Sequence, residues 1–513
     1  MNYSYNQFLN PREIELKFTL VPGARETLEE SGPFIAVKNE TLHELTTYFD
    51  TSNALLNSAG LTFRVRRIGA GQYVQTVKSR EKGVDIAANR GEWEWPLDGE
   101  MPEVGKLKEI QGLGRIAEQI EGRLQPIFVS DIHRTVRLLY LDGISSVEAV
   151  IDVGSIRSGS VSEPVSELEL ELKSGNVQSL YRLAAKLQKL APLCISSESK
   201  AARGWHLRTG QTEGAQEAGT PAFVRSIRTA DGFHRIIIGT LHHLIANIEP
   251  TLRGDPEGLH QMRGALKDSR AALKLFKRQL NGKTSKVLDA ELRRYGQMFG
   301  IARDWDVFCL QTMPAAMADL PAVRLRDLNE VADAKRQTAH AAIVEAIQAP
   351  QFTALVLNMV VWADVCSTQP FSAGHKLMDK PLLSLAPMLL ERAARRTINK
   401  AHKPGNLSAK GLHGLRKSFD DLGSDVRFLS SLYSGHDLKI YRRRCKAIKV
   451  LLGSNNDALV TRDLSAKLVT EDRPDLAKPA AELSLWSDHR HSKVLKGLKG
   501  AYEDFREGPR FWS

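Results

Sequence analysis

Charged and apolar residues alternate along much of the first 200 residues of this 513-residue chain. In REIELKF, for example, Glu13, Glu15 and Lys17 alternate with Ile, Leu and Phe. The same period of two recurs in LTFRVRR, YVQTVKS, RGEWEWPL, HRTVRLLYL, SVEAVIDVG and SELELELKSG. Because side chains on a β-strand point alternately to opposite faces, this period predicts strands of an antiparallel sheet.

Each predicted strand carries its charges on one face. SELELELK places Glu167, Glu169 and Glu171 in one row, and TFRVRR places Arg64 and Arg66 in another. Neighbours in a row lie about 7 Å apart, and two carboxylates at that distance repel by about 2 kcal/mol at an effective dielectric of 20. The opposite faces are bulky and apolar, so we expect the charged rows to line a closed sheet. They could bind a metal–polyphosphate complex or only pair with one another in a structural network, and the pattern leaves both interpretations open.

The composition changes near residue 206. The segment HLRTGQTEGAQEAGTPAFV has almost no apolar periodicity and is typical of a linker. Long helical stripes such as RIIIGTLHHLIANI and HQMRGALKDSRAALKLF follow it. Residues 1–205 hold 24 Lys and Arg against 27 Asp and Glu, whereas the rest hold 47 against 33. The positive charge of the second half suits either a polyanionic partner or a solvated basic surface.

The helical half contains an internal repeat. GLHQMR, with His260 and Arg263, is matched 153 residues later by GLHGLR, with His413 and Arg416. GIARDWDV and GSNNDALV are separated by the same offset. A constant offset across both motifs indicates two similar helical units, which we expect to be related by a pseudo-twofold axis.

Taken together, the blocks of the first half resemble the CYTH superfamily, also called triphosphate tunnel metalloenzymes. EIELK is similar to the opening Glu-x-Glu-x-Lys signature, and TTYFDTSNALLNSAGLTFRVRR, RGEWEWPL, SELELELKSG and SKAARGW resemble the later blocks in order. The resemblance covers residues 10–206. It implies an eight-stranded antiparallel β-barrel tunnel that binds a triphosphate with a divalent metal, Mg²⁺ or Mn²⁺.

The same resemblance implies roles for individual residues. The implied metal ligands are Glu13, Glu15, Glu167, Glu169 and Glu171. Glu169 and Glu171 are the catalytic candidates, because they could orient the attacking water. The implied phosphate contacts are Lys17, Arg64, Arg66, Lys78, Arg134 and Lys200. Further acidic residues of the tunnel would be Glu92, Glu94 and Asp152.

The helical half, residues 225–510, resembles CHAD, an all-α domain named for its histidines, and this resemblance implies inorganic polyphosphate as a ligand. Its basic pattern is matched in the first copy by His260, Arg263, Lys267 and Arg270, which share one helix face. The second copy matches it at His413, Arg416 and Lys417 but departs from it at Asp420, Asp421, Gly423 and Ser424. We therefore expect an α+β protein of two domains, with a linker at 207–224 and helical repeat units at about 225–370 and 380–510.

These features predict a metal-dependent triphosphatase that hydrolyses inorganic triphosphate. Hydrolysis of an organic triphosphate such as thiamine triphosphate is one alternative, and a non-catalytic polyphosphate-binding protein is another. No Ser-His-Asp or Cys-His arrangement points to a covalent intermediate. Because no motif resembles a nucleic-acid reader and polar residues interrupt the longest apolar run, we expect neither nucleic acid nor a membrane as a partner. Four scattered cysteines and the absence of a signal segment predict a cytoplasmic protein.

Overall fold

A computed structural model of the chain describes residues 12–30, 32–69, 71–79, 86–211, 214–280, 282–368, 376–400, 407–492 and 497–512. The chain divides into two compact units. The barrel unit comprises the chain up to Gly214 together with Ile248–Pro250 and Ile347–Val361, and the helical unit comprises the other segments. The division after Gly214 falls inside the predicted linker, and the exact limits of the two domains stay a prediction.

Eight strands of the barrel unit close into an antiparallel barrel in the order β5-β4-β3-β2-β6-β7-β8-β1, and a pairing of β1 with β5 completes the ring. A ninth strand, β9, extends the sheet beside β1. The predicted barrel is therefore confirmed, and β9 is an addition to it. The strands are β1 (Arg12–Leu20), β2 (Asn39–Asp50), β3 (Leu61–Ile68), β4 (Gln72–Ser79), β5 (Ala88–Leu97), β6 (Gln125–Tyr140), β7 (Ser146–Ser158), β8 (Val161–Ser174) and β9 (Leu193–Ser196).

The alternation in the sequence separates the inside of the barrel from its outside. On β1 the charged residues Glu13, Glu15 and Lys17 are nearly inaccessible to solvent, and so are Leu16 and Phe18 on the opposite face. Both faces of the strand are therefore buried, the apolar face under packing side chains and the charged face inside the closed barrel. The expectation that the charged rows face inward is confirmed.

The described residues up to Gly214 form five α-helices: α1 (Ala24–Glu29), α2 (Leu55–Ser58), α3 (Gly114–Ile120), α4 (Val177–Leu190) and α5 (Lys200–Thr209). Helix α5 closes one end of the lumen, where its Trp205 packs against Tyr48 and Phe128, whose rings are stacked with centroids 4.5 Å apart. Gly204 allows this close approach, because a Cβ atom at that position would overlap the Phe128 ring.

The barrel unit takes a further element from far along the chain. Residues Ile347–Val361 contain the first part of helix α12 (Pro350–Thr368), and Phe352 and Val356 there are fully buried. Ile195 of β9 donates its backbone N–H to Thr353 Oγ1 at 2.8 Å, and Gln188 Nε2 donates to the carbonyl oxygen of Pro350 at 2.9 Å. The barrel unit is thus completed by residues that the sequence pattern assigned to the helical half.

The other helices are α6 (Thr229–Ala246), α7 (Ile248–Leu252), α8 (Pro256–Leu275), α9 (Lys283–Val307), α10 (Met313–Asp319), α11 (Ala322–Gln348), α12 (Pro350–Thr368), α13 (Leu382–Ile398), α14 (Ala409–Leu429), α15 (His436–Leu468), α16 (Ala477–Ser492) and α17 (Leu498–Glu507). A π-helical turn, Phe308–Thr312, joins α9 to α10. Among the described residues, α12 alone is long and apolar enough to cross a membrane, and 56% of its apolar window is buried inside the protein.

The helix boundaries support the repeat found in the sequence. Helices α13, α14 and α15 each begin 153 residues after α6, α8 and α9, respectively. Within the helical unit α8 packs against α14 and α6 packs against α13, so equivalent helices of the two repeats meet. This pairing of equivalent helices is the arrangement that a pseudo-twofold relationship produces.

Candidate active site

The lumen of the barrel gathers the charged residues that the sequence analysis singled out. Lys17 on β1 lies directly opposite Glu169 on β8, and its Nζ is 2.9 Å from Glu169 Oε1. Lys200, at the start of α5, places its Nζ 2.8 Å from Asp152 and Glu167 and 2.9 Å from Glu169. Two lysines therefore bind three carboxylates at the end of the lumen that α5 closes.

Arg134 on β6 adds a guanidinium to this cluster. Its Nη2 lies 2.6 Å from Asp152 and 3.2 Å from Glu169. Burial raises the pKa of Glu169, but the charges of Lys17, Lys200 and Arg134 outweigh burial and hold that pKa well below its usual value. Glu169 is therefore ionised and held by three cations.

A second cluster surrounds Glu13 on β1. Its carboxylate accepts hydrogen bonds from Lys78 Nζ at 2.8 Å and from Arg90 Nε at 2.9 Å. Arg90 also binds Glu15, and Lys78 Nζ lies 2.9 Å from Glu92. Burial raises the pKa of Glu13, but Lys78 and Arg90 outweigh it and lower that pKa well below its usual value.

Arg64 and Arg66 on β3 have part of their donor capacity unused. Arg64 Nη2 is 3.6 Å from Glu92, and Arg66 Nη1 is 3.3 Å from Glu44. The Nε atoms of both arginines are buried and have no hydrogen-bond partner among the described residues. Buried donors without acceptors are costly, so these two guanidinium groups fit an anion inside the lumen.

The predicted acidic residue Glu94 also faces the lumen, beside these arginines. Thr76 on β4 donates its hydroxyl to Glu94 Oε1 at 3.0 Å. Burial raises the pKa of Glu94, but Arg66, Arg64 and Lys78 together lower it. Glu94 therefore balances the charge of the arginines rather than adding to a purely acidic patch.

Glu171 on β8 has a different environment. It lies in register opposite Glu15 on β1 and opposite Glu148 on β7. Its cationic partner is Lys173, whose Nζ is 2.8 Å away. Burial raises the pKa of Glu171 to about 7, with Lys173 opposing this shift and Glu13 and Glu148 adding to it. Glu171 therefore stands among like charges with one nearby cation.

The predicted metal ligands all line the lumen, and each of the five is within ion-pair distance of a lysine or an arginine. Among the described residues, no three Asp, Glu, His or Cys side chains converge at metal-ligand spacing. The structural network of paired charges that the sequence pattern left open is thus present. Glu15 and Glu171 are like charges directly opposite each other, and the structure gives each of them one cationic partner, Arg90 and Lys173 respectively. Like charges at directly opposite positions are destabilising. The oxygen donors of Glu15 and Glu171, with those of Glu13, fit a divalent cation.

The sequence analysis missed several charged residues that the structure places in the lumen, among them Arg90, Glu44 and Arg203. Arg90 shares the face of Glu92 and belongs to the same alternating segment, so the period of two could have identified it. Glu44 on β2 lies 3.5 Å from Arg134 Nε, and its strand also alternates. Arg203 on α5 lies 2.5 Å from Glu167, and no strand period could have placed a helical residue there.

In the helical unit, the predicted basic residues lie where the two repeats meet. Arg263 on α8 and Arg416 on α14 hold equivalent positions in the repeat. The pKa of Arg263 is lowered mainly by burial and also by Arg416, while Asp304 opposes this shift. The pKa of Asp304 is raised by burial, with Arg263 and Arg416 opposing and Asp457 adding to the shift. Two arginines and two aspartates at equivalent positions therefore share one site.

The other predicted residues of this unit have varied surroundings. Arg270 Nε lies 2.9 Å from Asp289, so this guanidinium is already paired. His413 Nδ1 is 3.2 Å from Asn456 Oδ1, which ties that imidazole to a neighbouring helix. His260 and Lys417 are exposed. Lys267 is a neighbour of Asp420. Burial raises the pKa of Asp420, but the charges of Lys267 and Lys449 outweigh burial and lower that pKa.

Asp421 is part of a symmetric arrangement and does not mark an irregular second repeat. Asp421 pairs with Lys274, and Asp268 pairs with Arg427. The two aspartates are 153 residues apart in the sequence, and so are the two cations. Each repeat thus supplies an aspartate to a cation of the other. The sequence analysis listed both Asp420 and Asp421 as departures from the basic pattern. The first copy also has an aspartate, Asp268, at the position equivalent to Asp421, whereas Asp420 stands where the first copy has Lys267.

Comparisons with known proteins agree with this division. The family model of the CYTH domain matches residues 11–205, and that of the CHAD domain matches residues 235–466. The chain is 33% identical over 202 residues to an inorganic triphosphatase of Haemophilus influenzae; the match covers 39% of this chain and 56% of that protein. The chain therefore spans little more than half the length of that curated relative.

The helical unit also has a solved structural counterpart. The crystal structure of the CHAD domain from the plant Ricinus communis aligns with 58% of this chain and 98% of its own length, with a TM-score of 0.51 and 22% sequence identity. At that identity the likeness concerns the fold alone. The two family models show that the chain contains a CYTH domain followed by a CHAD domain.

Proposed function

We propose that the barrel unit is a divalent-metal-dependent triphosphatase that hydrolyses inorganic triphosphate. The observation that carries this proposal is the buried lumen, in which rows of Lys and Arg face rows of carboxylates. The similarity to the inorganic triphosphatase of H. influenzae supports the same substrate.

The cations of the lumen would bind the phosphate chain. Arg64 and Arg66 have buried Nε donors without acceptors among the described residues, so phosphate oxygens would satisfy them directly. Lys17, Lys78 and Lys200 bind carboxylates in this structure. Substrate binding would therefore exchange carboxylate partners for phosphate oxygens, and the carboxylates released would need another cation.

A divalent cation would supply that positive charge and polarise the phosphate oxygens. The residues proposed to hold it are Glu13, Glu15, Glu167, Glu169 and Glu171. Glu167 fits this role least, because it is bonded to both Lys200 and Arg203 at the closed end of the lumen. Assays of phosphate release with Mg²⁺ and with Mn²⁺ would distinguish between these two metals.

Of the two proposed catalytic carboxylates, Glu171 is better placed to accept a proton from the attacking water. Glu169 is held by Lys17, Lys200 and Arg134 within 3.2 Å. Glu171 has one such partner, Lys173, and keeps about a quarter of its side chain exposed. A general base needs a free lone pair within reach of water, so we assign proton transfer to Glu171 and a positioning role to Glu169.

The alternative of an organic triphosphate is less well supported. An adenine or thiamine ring would need an open apolar surface beside the phosphate site. The apolar residues at the closed end of the lumen, including Tyr48, Phe128 and Ile132, are instead packed against one another and against α5, and each is at most 4% exposed. This packing favours a substrate made of phosphates alone.

For the helical unit we propose binding of long-chain polyphosphate through the shared site of Arg263 and Arg416, with Lys267 beside it. Burial beside the charge of Arg416 is unfavourable for the Arg263 guanidinium, and the negative charge of a polyanion would offset this cost. A cytoplasmic location, without membrane or nucleic-acid partners, stays a prediction. The alternative of a non-catalytic polyphosphate-binding protein would use this unit alone.

One set of assays separates these functions. Phosphate release is measured from tripolyphosphate, ATP, thiamine triphosphate and long-chain polyphosphate, each with Mg²⁺, with Mn²⁺ and with a chelator. We expect the highest kcat/KM for tripolyphosphate and loss of turnover on chelation. Preference for ATP or thiamine triphosphate would favour the organic alternative. Polyphosphate binding without turnover of any compound would favour the non-catalytic one.

A further inference from the structure

The outer wall of the barrel is interrupted by a polar region between β2 and β6. On β1 and β8, outward residues such as Leu16, Phe18 and Leu168 are instead apolar and buried. On β2 and β6, Thr41 lies directly opposite Thr135, and Asn39 lies opposite Arg137. These residues occupy the face opposite to the lumen, because they alternate along the strands with inward residues such as Arg134.

A cavity of about 280 Å³ lies at this place. Its walls include Arg25 and Glu29 of α1, Thr41 of β2, and His133, Thr135 and Arg137 of β6. A water molecule takes up about 30 Å³ in the liquid, so the cavity has room for a small ion together with some of its hydration water. It is separate from the lumen, since none of these side chains belongs to the inward rows.

Arg137 is the residue of this cavity that most needs a ligand. Only 4% of it is exposed, and its Nε and Nη1 have no hydrogen-bond partner among the residues that the structure describes. The guanidinium lies over the Phe34 ring, 5.2 Å from its centroid. Burial lowers the pKa of Arg137, as does Arg25 to a smaller extent, while Glu29 opposes the shift. A buried cation with unused donors is costly unless an acceptor joins it.

The neighbouring charges leave the cavity electropositive. Glu29 Oε1 lies 3.4 Å from Arg25 Nε, so this carboxylate is engaged by the second arginine. The nearby carboxylate of Asp131 is held by His43 at 2.7 Å and by Arg157 at 3.0 Å. Arg137 is left without a carboxylate within ion-pair distance among the described residues.

The remaining polar groups suit an anion with several oxygens. The hydroxyl groups of Thr41 and Thr135 lie 3.4 Å apart and can both turn their hydrogens toward a third acceptor. His133 stacks on His43 with ring centroids 4.8 Å apart, which fixes its imidazole at the cavity wall. Arginine presents a planar fork of donors that matches phosphate oxygens.

We propose that this cavity is a second anion site, on the outer wall of the barrel, which binds a phosphate group through Arg137, Arg25 and the hydroxyls of Thr41 and Thr135. The phosphate could be free inorganic phosphate or the end of a phosphate chain, since both present the same tetrahedral oxygens. The site does not depend on the activity proposed for the lumen.

The test uses the full chain, labelled at histidine side chains, with inorganic phosphate as the probe and without divalent metal. NMR follows the imidazole of His133, identified by its loss in His133→Gln. We expect a saturable shift of this resonance. In Arg137→Gln the apparent affinity should fall about tenfold or more, because the variant loses the charge-assisted hydrogen bonds of the guanidinium. Arg137→Lys, which keeps the charge, should recover part of the affinity.

Two controls make the result specific to the cavity. Arg157→Gln removes an arginine from the outer face of the barrel that is paired with Asp131, and it should leave phosphate affinity unchanged. Arg66→Ala removes a cation of the lumen, and it should also leave the His133 response unchanged. A response lost in Arg66→Ala, or equal in Arg137→Gln and the unaltered chain, would overturn the proposal. If Arg137→Gln does not fold, the titration of the unaltered chain is the deciding measurement. The absence of a His133 shift in that titration would overturn the proposal.

Tripolyphosphate titrated in the same metal-free assay separates the two sources of phosphate. A tighter response to tripolyphosphate assigns the site to a chain end, and a tighter response to inorganic phosphate assigns it to the free ion. Either result supports a phosphate site, and a His133 resonance that responds to neither anion refutes it.

Discussion

Glu15 and Glu171 face each other directly across β1 and β8, two carboxylates at one register position inside a closed barrel. Arg90 binds the first and Lys173 binds the second. The two facing carboxylates distinguish this part of the lumen from the region around Glu169. There, three cations surround a single carboxylate. This contrast therefore identifies Glu171 as the position where a small substitution should be most informative.

Glu171→Gln should lower kcat for tripolyphosphate by about 100-fold or more, because loss of a general base typically costs 10²–10⁴ in rate. The fold should persist, since the glutamine is isosteric and removes a charge from a crowded acidic position. Phosphate release and circular dichroism together measure both effects. The matched control is Glu163→Gln on the same strand, where the side chain pairs with Arg203 instead. Full activity of Glu171→Gln would contradict its catalytic role.

Arg64→Ala and Arg66→Ala should each raise KM for tripolyphosphate and also lower kcat, because charge on the phosphates grows toward the transition state. Steady-state kinetics of each variant measure the two parameters. Arg67→Ala is the control, since Arg67 lies on the same strand but alternates with these residues and points to the other face. Unchanged kinetics in both lumen variants would show that the two arginines do not contact substrate.

Gly204→Ala should destabilise the barrel unit by about 1–3 kcal/mol, the usual cost of overpacking a core. The added methyl group would overlap the Phe128 ring and displace α5. Because α5 also carries Lys200, activity should fall with stability. Thermal unfolding and tripolyphosphate hydrolysis measure these losses. In Gly239→Ala, a helical glycine with open space around its Cβ position, stability should stay level or rise slightly.

Asp425→Asn should stabilise the helical unit at neutral pH but not in acid. Burial, with Asp421 adding to it, raises the pKa of Asp425 well above its usual value of 3.8, and Oδ1 has no hydrogen-bond partner among the described residues. Above about pH 4 the unfolded carboxyl ionises while the folded one keeps its proton, so stability falls as the pH rises toward the folded pKa. The asparagine variant lacks this loss.

Urea unfolding at pH 4 and at pH 7, followed by helical circular dichroism, provides the comparison for Asp425. The stabilisation relative to the unaltered chain should be larger at pH 7 than at pH 4. Asp463→Asn, at an exposed position on α15, should show no such dependence. A benefit of Asp425→Asn that is equal at both pH values would mean that the residue is ionised in the folded protein.

Polyphosphate binding by the helical unit should be stronger through the first repeat. Arg263→Ala with Lys267→Ala should weaken binding of long-chain polyphosphate more than Arg416→Ala with Lys417→Ala, because Asp420 stands where the first repeat has Lys267. Asp420→Asn should strengthen binding by releasing Lys449, which lies 3.1 Å from it. Titrations at low and high salt measure this, and affinity should fall steeply with salt. Equal losses in the two double variants would remove the asymmetry.

Strand positions and the inward direction of the charged rows could be predicted from the sequence, because a period of two is a local property of the chain. The ion-pair partner of each charged residue could not be predicted, because strand register and barrel closure determine which residues meet. Arg90, for example, contacts Glu13 only because β5 pairs with β1. Arg203 escaped notice because it enters the lumen from a helix. The phosphate site proposed on the outer wall depends on α1 and β6, which are far apart in the sequence.

The repeat illustrates both the strength and the weakness of comparison by offset. The spacing of 153 residues predicted two similar helical units, and the starts of α14 and α15 follow those of α8 and α9 by the same spacing. Applied to the acidic residues as well, it would have paired Asp421 with Asp268 and shown them to be equivalent. The structure adds what the offset cannot show, namely that Lys274 and Arg427 exchange partners between the repeats.

The residues Ile347–Val361, which cover the barrel, are synthesised well after the barrel strands. About 150 residues separate the end of α5 at Thr209 from Val361. At a translation rate of about 5–20 residues per second, the ribosome needs roughly 8–30 s to cover that distance. For that interval the nascent barrel has all of its strands but exposes the apolar surface that Phe352 and Val356 later cover. A ribosome that stalls in the first helical repeat would therefore release a barrel prone to aggregate, although every residue of the lumen had already been made.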